Sequence, residues 1–226
     1  MTTLKASEWD LFLAQYPDAH LLQTSAWGEF KAEFGWSVER VYVGACGAQI
    51  LFRQLPLGMQ LAYIPKGPIG EDWADLWPEI ERVCRIKRVV ILKVEPDLAG
   101  PPQPNLEAQL TGFHPSEHTI QPRRTIIINL DGEEDQLLAR LKQKTRYNIR
   151  LAEKKDIQVH VSQDLDAFYQ MMSITGQRDG FGVHSREYFH RAYQMFHPDG
   201  MCELLIAEYG GRPLAGLMVF KRGKRA

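Results

Sequence analysis

Through the middle of the chain apolar residues recur every three or four positions, and on either side they crowd together or alternate. Leu138, Leu141, Thr145, Ile149 and Ala152 follow the wider spacing, which puts them on one face of an amphipathic helix. The pattern predicts a single long helix within residues 131–159. Asp131, Glu133, Glu134 and Asp135 stand at its start and Lys154 and Lys155 at its end, the charge order that a helix dipole favours. Strand-like runs flank it, RRTIIINL before and IQVHV after.

The first half reads as a complete unit. SEWDLFLAQY predicts a helix, and TSAWGEFKAEFGW a second, capped at Thr24 or Ser25 and stopped by Gly35. VERVYVGA, AQILFRQL and MQLAYIP read as strands, with turns near Cys46-Gly47 and Leu57-Gly58. KGPIG holds too much Gly and Pro for either element. Asp72 caps an expected helix running to Arg85, and VVILKVEP has the nearly continuous apolar character of a buried parallel strand. Residues 96–122 are Pro-rich, have room for one short helix, and mark a domain boundary.

Beyond the central helix the order begins again. SQDLDAFYQMMSITGQRDG and SREYFHRAYQMF predict helices, and CELLIAEYGGRPLAGLMVF a hairpin about Gly210-Gly211. Helix, helix, strand, glycine turn, strand is also the order of the first half. The expectation is a mixed α/β (α+β) protein of two tandem copies of one unit, spanning 1–122 and 123–226. The first copy continues past its hairpin into more strand and helix, and the second stops. A chain truncated at its C-terminus, with an unpaired sheet edge, is therefore expected.

Composition narrows the function. A net charge of −1 does not advertise a polyanionic partner for the whole molecule, so any anion site must be local. Leu141 to Lys155 is such a place, because only Glu153 opposes its many cations. Lys142, Arg146 and Arg150 recur every four residues as a stripe, with Tyr147 beside it. Cys46, Cys84 and Cys202 are too scattered for a metal or redox motif and read as buried, reduced thiols. The start lacks a signal-peptide pattern and no apolar run reaches bilayer length, so a cytoplasmic protein is expected.

Few residues stand out for chemistry. The sequence has no phosphate-loop, nucleophile-elbow or His-Glu-x-x-His motif, and no metal is expected. Lys66 lies between Pro65 and Pro68 in a loop stiff enough to hold it. Glu95 ends a strand of the kind whose C-terminal end carries ligands. GQRDGFGVHSREYF is glycine-rich and reads either as a helix cap at Ser185 or as a substrate-facing loop.

Several stretches, in order, resemble a known family. LLQTSAWGEFKAEFGW, YIPKGPIG, LKVEP, LKQKTRYNIRLAEKKDIQV, RDGFGVHSREYF and AGLMVFKRGKRA look like the Fem proteins, aminoacyl-tRNA-dependent transferases acting on peptidoglycan precursors. The resemblance implies two GNAT-like domains, the second incomplete here, and no cofactor beyond aminoacyl-tRNA as acyl donor. It implies an acceptor lysine on UDP-MurNAc-pentapeptide or a lipid-linked precursor, and peripheral association with a membrane. It also implies substrate-binding roles for Lys31, Arg146, Tyr147 and Arg150 and a catalytic assisting role for Glu95; Lys66, held in its stiff loop, joins them as a substrate-binding candidate. Residues that help stabilise the transition state would lie beyond Ala226. The long helical arm of some members has no counterpart. An acyl-CoA-dependent acyltransferase and a non-catalytic RNA or polyanion binder are the alternatives.

Overall fold

A computed structural model describes residues 4–98 and 108–226. They form two units. One runs to Arg123 and takes back Lys221–Ala226, and the other is Arg124–Phe220. The sequence reading left the last six residues with the second half.

Unit 1 is a four-stranded sheet in sequence order, β1 (Trp36–Val43), β2 (Cys46–Gln54), β3 (Gln60–Pro65) and β4 (Val89–Glu95). The first two junctions are antiparallel and β3–β4 is parallel. Helices α1 (Ala6–Leu13) and α2 (Ser25–Glu33) precede the sheet, and α3 (Leu76–Ile86) makes the crossover between β3 and β4. The β1–β2 turn is at Gly44–Ala45, two residues before the expected place, and Gly44 takes the positive φ it needs. Helix α3 begins at Leu76, later than predicted, because the Asp72 carboxylate accepts from the Ala74 N–H in a local turn.

Strand alternation sorts this sheet into two faces. Ala48, Ile50, Phe52, Ala62 and Ile64 pack against Leu76, Ile80, Val83 and Cys84 of α3, the main apolar core. The opposite face carries Arg40, Gln49, Arg53, Tyr63 and Glu95, and on it lies α2. A polar face beneath a helix is where a site is to be sought. Strand β4 is less buried than its apolar run implies: as the sheet's edge it leaves Val90 52% and Ile91 57% exposed.

Unit 2 contains an antiparallel sheet of order β5 (Gln158–Val161), β6 (Cys202–Tyr209) and β7 (Arg212–Phe220). Four helices belong to it: α4 (Glu134–Arg140), α5 (Gln143–Lys154), α6 (Leu165–Asp179) and α7 (Arg186–Phe196). Cys202, Leu204 and Ile206 alternate inward with Phe168, Tyr193 and Phe196 also buried. Phe168 of α6 seats against Gly216, where a Cβ would meet its ring at 2.8 Å. All three cysteines are buried and free, and burial pushes the Cys84 thiol up to about 11 and Cys202 to about 12.

Two sequence expectations fail here. The long central helix is two helices, broken where Leu141 (φ −74°, ψ 155°) and Lys142 (φ −61°, ψ 148°) are extended. Neither glycine nor proline marks the break. Arg146 stabilises it by donating to the carbonyls of Leu141 and Ala139 that the interrupted ladder leaves open. The expected strand RRTIIINL forms no regular element and pairs with no strand, with Ile126 87%, Ile127 79% and Leu130 69% exposed. Of the Pro-rich segment 96–122, residues 99–107 fall outside the described residues, and Ala108 and Gln109 just after them are helical.

Candidate functional site

The site of unit 1 is built on a buried polar network between α2 and the sheet. Gln23 and Gln49 are fully buried and Arg40 nearly so. Gln23 donates through Nε2 to the Pro65 carbonyl at 2.6 Å, and its Oε1 accepts from the Gln49 N–H at 2.8 Å. Gln49 donates to the carbonyl of Thr24 (2.7 Å) and accepts from Arg40 Nε (2.9 Å). Thr24 caps α2, its hydroxyl accepting from the Trp27 N–H, while Ser25 donates to Asp10. Gly28 lets the helix come this close, since a Cβ there would fall 2.4 Å from Gln49 Oε1. The stretch QTSAWG thus fixes α2 on the sheet and, through Gln23, fixes the loop that carries Lys66.

At the outer end of that face cations and aromatic rings converge. Lys31 Nζ sits 5.9 Å from the Trp27 ring centroid and 5.8 Å from that of Trp36, and the Arg53 guanidinium lies 5.6 Å from Trp36. Trp36 and Arg53 are direct cross-strand partners, so the register of β1 and β2 holds this arrangement. Burial lowers the Lys31 pKa, and the charge of Arg53 lowers it further. Removing that like charge by Arg53→Leu should raise the Lys31 pKa, which an NMR titration of its ε-methylene would register. Tyr63, 6.5 Å from Trp36 between ring centroids, continues the cluster and donates to Glu95 Oε2 at 2.6 Å.

Glu95 is heavily engaged. Its carboxylate also accepts from the N–H groups of Ile120 (2.7 Å) and Gln121 (2.9 Å), with Lys93 Nζ at 3.8 Å. Burial by itself would raise its pKa, but the bonds from Tyr63 and the two N–H groups, with Lys93, hold it below the usual carboxylate range. A base held that low takes protons poorly at neutral pH. In this arrangement Glu95 clamps residues 120–121 to the strand end.

The sequence matches known proteins over both units. The FemAB family pattern matches residues 4–99 and 105–210, most of the chain. The chain belongs to the FemAB family. A lipid II:glycine glycyltransferase of Staphylococcus haemolyticus is 31% identical over 92% of this chain and 55% of its own length. One from Staphylococcus aureus is 32% identical over 89% of this chain and 53% of its own. The crystal structure of FemX superposes with a TM-score of 0.78 at 30% identity, covering 91% of this chain and 57% of that one. The chain therefore spans just over half the length of these FemAB relatives, with the tandem GNAT-like fold that the FemX likeness supports.

Against the FemAB resemblance, the structure distributes the expected site residues over both units. Lys31, Lys66 and Glu95 belong to unit 1; Arg146, Tyr147 and Arg150 belong to unit 2. Lys31 and Glu95 share one face of unit 1, joined through Trp36 and Tyr63, whereas Lys66 turns into a separate pocket beyond the strand ends. On α5, Tyr147 is 63% exposed and Arg150 is exposed, while Arg146 is committed to the helix break. Sequence reading missed Trp36, Arg53 and Tyr63. The pairing register of β1, β2 and β3 gathers them into one cluster with Lys31 at Trp36 and Glu95 at Tyr63, although their alternation with apolar neighbours was visible.

It also left open the loop before α7, where Gly180 caps α6 with a positive φ and Ser185 caps α7. His184 stacks on Tyr188 at 3.9 Å, and Asp166, its pKa lowered to about 2 first by Arg186, also meets His190 at 3.0 Å. The helix-cap description of this segment holds at Ser185. Among the described residues no group of three or more His, Cys, Asp or Glu is placed for a metal ion, and no helix is long and apolar enough to cross a membrane.

Proposed function

We propose that this FemAB protein transfers an amino acid from an aminoacyl-tRNA to the stem-peptide lysine of a lipid-linked peptidoglycan precursor, forming an interpeptide bridge. The observation that carries the reading is the cation–aromatic cluster of Lys31, Trp27, Trp36 and Arg53 on the polar face of unit 1. Two fixed cations over flat rings suit a ligand that joins diphosphate to sugar: Arg offers a planar fork, Lys a point charge, and the rings an apolar floor. Likeness to glycyltransferases named for lipid II favours the lipid-linked acceptor over UDP-MurNAc-pentapeptide.

In the reaction the neutral lysine amine attacks the ester carbonyl of the aminoacyl-tRNA. A C–N bond forms, the ester C–O bond breaks, the terminal ribose hydroxyl of the tRNA leaves, and the amine gives up a proton. Such aminolysis needs chiefly a positioned amine and a cation near the developing oxyanion. Lys31 and Arg53 are assigned to hold the acceptor, and Arg150 and Tyr147 to contact the anionic substrates. Glu95 is assigned to order the strand end and the 120–121 segment beside the amine. The protein would work in the cytoplasm and meet the membrane through its substrate, with no cofactor.

The test is incubation of this chain, and of a form extended to the length of its relatives, with charged tRNAs and lipid II. An added aminoacyl mass on the precursor is expected for the extended form. Absence of any mass shift with every charged tRNA, together with absence of precursor binding, would overturn the reading.

A further inference from the structure

Unit 1 has a second concavity, of about 640 Å3, at the C-terminal ends of the parallel strands β3 and β4. Every lining residue belongs to this unit. Open α/β sheets keep ligands at such strand ends, and the volume is that of a small-molecule site. One wall is apolar, formed by Tyr16, Pro68, Ile69 and Trp73. The other is charged. Asp97 accepts from Arg225 Nη1 at 2.7 Å and faces Lys66 Nζ at 3.6 Å, so one carboxylate is shared by two cations.

These groups are fixed rather than waving. Lys66 holds a positive φ of 51°, a costly conformation for a side-chain-bearing residue, and the carbonyl just before it is bound by buried Gln23. Arg225 is brought in by the segment after β7, whose Arg222 donates to the carbonyls of Tyr16, Pro17 and Ala19. His20 accepts the Leu22 N–H on Nδ1 at 3.1 Å, which leaves Nε2 as the protonated nitrogen of the neutral ring. Exposed Asp18 and Glu71 also border the cavity. Three carboxylates against two lysine and arginine cations disfavour a phosphate dianion. Separated charges of both signs with an apolar wall favour a ligand that also bears both signs.

We propose that this pocket binds a free amino acid or short peptide as its zwitterion, the carboxylate received by Lys66 and Arg225 and the ammonium set toward Asp18 and Glu71. An aliphatic side chain would lie against Ile69 and Trp73. The choice of a peptide rests in part on the transferase reading above, but the binding is measured without donor or transfer, so each stands or falls separately.

Calorimetry on the full chain decides it, with glycyl-leucine, its C-terminal amide, its N-acetyl form and inorganic phosphate as probes. Glycyl-leucine is expected to bind saturably, and loss of either charge to weaken binding by about tenfold. Lys66→Gln and Arg225→Gln are each expected to cost about tenfold, with unchanged circular dichroism. Equal affinity for the amide, equal affinity for phosphate, or no saturable binding up to about 10 mM would overturn the proposal. So would unchanged affinity in both variants. A Lys66→Gln protein that fails to fold leaves the decision to Arg225→Gln and the modified dipeptides.

Discussion

Gln49→Leu is expected to remove roughly 3–5 kcal/mol from the stability of unit 1. The change is close to isosteric, so it creates little cavity. Its effect comes from what it leaves behind: Arg40 Nε loses its acceptor and the guanidinium keeps the longer bond to the Ser25 carbonyl at 3.3 Å, while the Leu22 carbonyl and the Thr24 carbonyl, which retains the Gly28 N–H, each lose a donor. Arg40 is 8% exposed, and a buried cation stripped of a partner is among the most destabilising outcomes of a single substitution. Urea unfolding followed by tryptophan fluorescence reads it, since Trp27 on α2 and Trp36 on β1 lie on the elements concerned. A loss below about 1 kcal/mol would mean that Arg40 finds water or another acceptor, and that the network is not what holds α2 in place.

The largest functional effect is expected from Lys31→Ala combined with Arg53→Ala, which should weaken binding of lipid II, the proposed acceptor, by about 100-fold or more at low salt. Each charge-assisted contact to a diphosphate contributes about 1.5–3 kcal/mol. The two residues share the Trp36 ring and repel each other, so their effects will not simply add. The wild-type affinity should fall with added salt and the double variant's should do so less. A loss under about threefold in the double variant would remove this cluster from the substrate site.

How much of this was readable beforehand depends on the distance over which each feature is decided. Local features were legible. Thr24, Ser185 and the Gly210-Gly211 turn do what their residue types dictate within three or four positions. The central basic segment shows where local reading ends. Its apolar spacing runs unbroken through Leu141, yet the backbone is extended there, with Arg146 bound back to the freed carbonyls. Periodicity reports which face is apolar. It does not report whether the helical ladder is continuous.

TIIINL shows the same limit for strands. Its residues have the β-branched character of a strand, but a strand exists only when another edge supplies hydrogen bonds, and here that segment is unpaired. Lys31 and Glu95 were singled out by resemblance, and each was placed on its element correctly, but their surroundings were not. The strand end marked Glu95 as a ligand-site candidate, and the resemblance gave it a catalytic assisting role. Three donors from Tyr63, Ile120 and Gln121, up to 32 positions away in sequence, make it a clamp.

The sequence alone determined most elements outside the central segment, several caps and turns, the family likeness and the identity of the charged residues, because each depends on neighbours a few positions apart or on motifs read in order. Only the tertiary structure decided that Trp36 and Arg53 flank Lys31 with Tyr63 beside Trp36, that Gln23 and Gln49 carry the hydrogen bonds beneath α2, and that Lys66 and Arg225 share Asp97. Those pairings span from 5 to 159 positions. They exist because strand register, the close approach at Gly28 and the return of the last six residues to unit 1 bring distant side chains together.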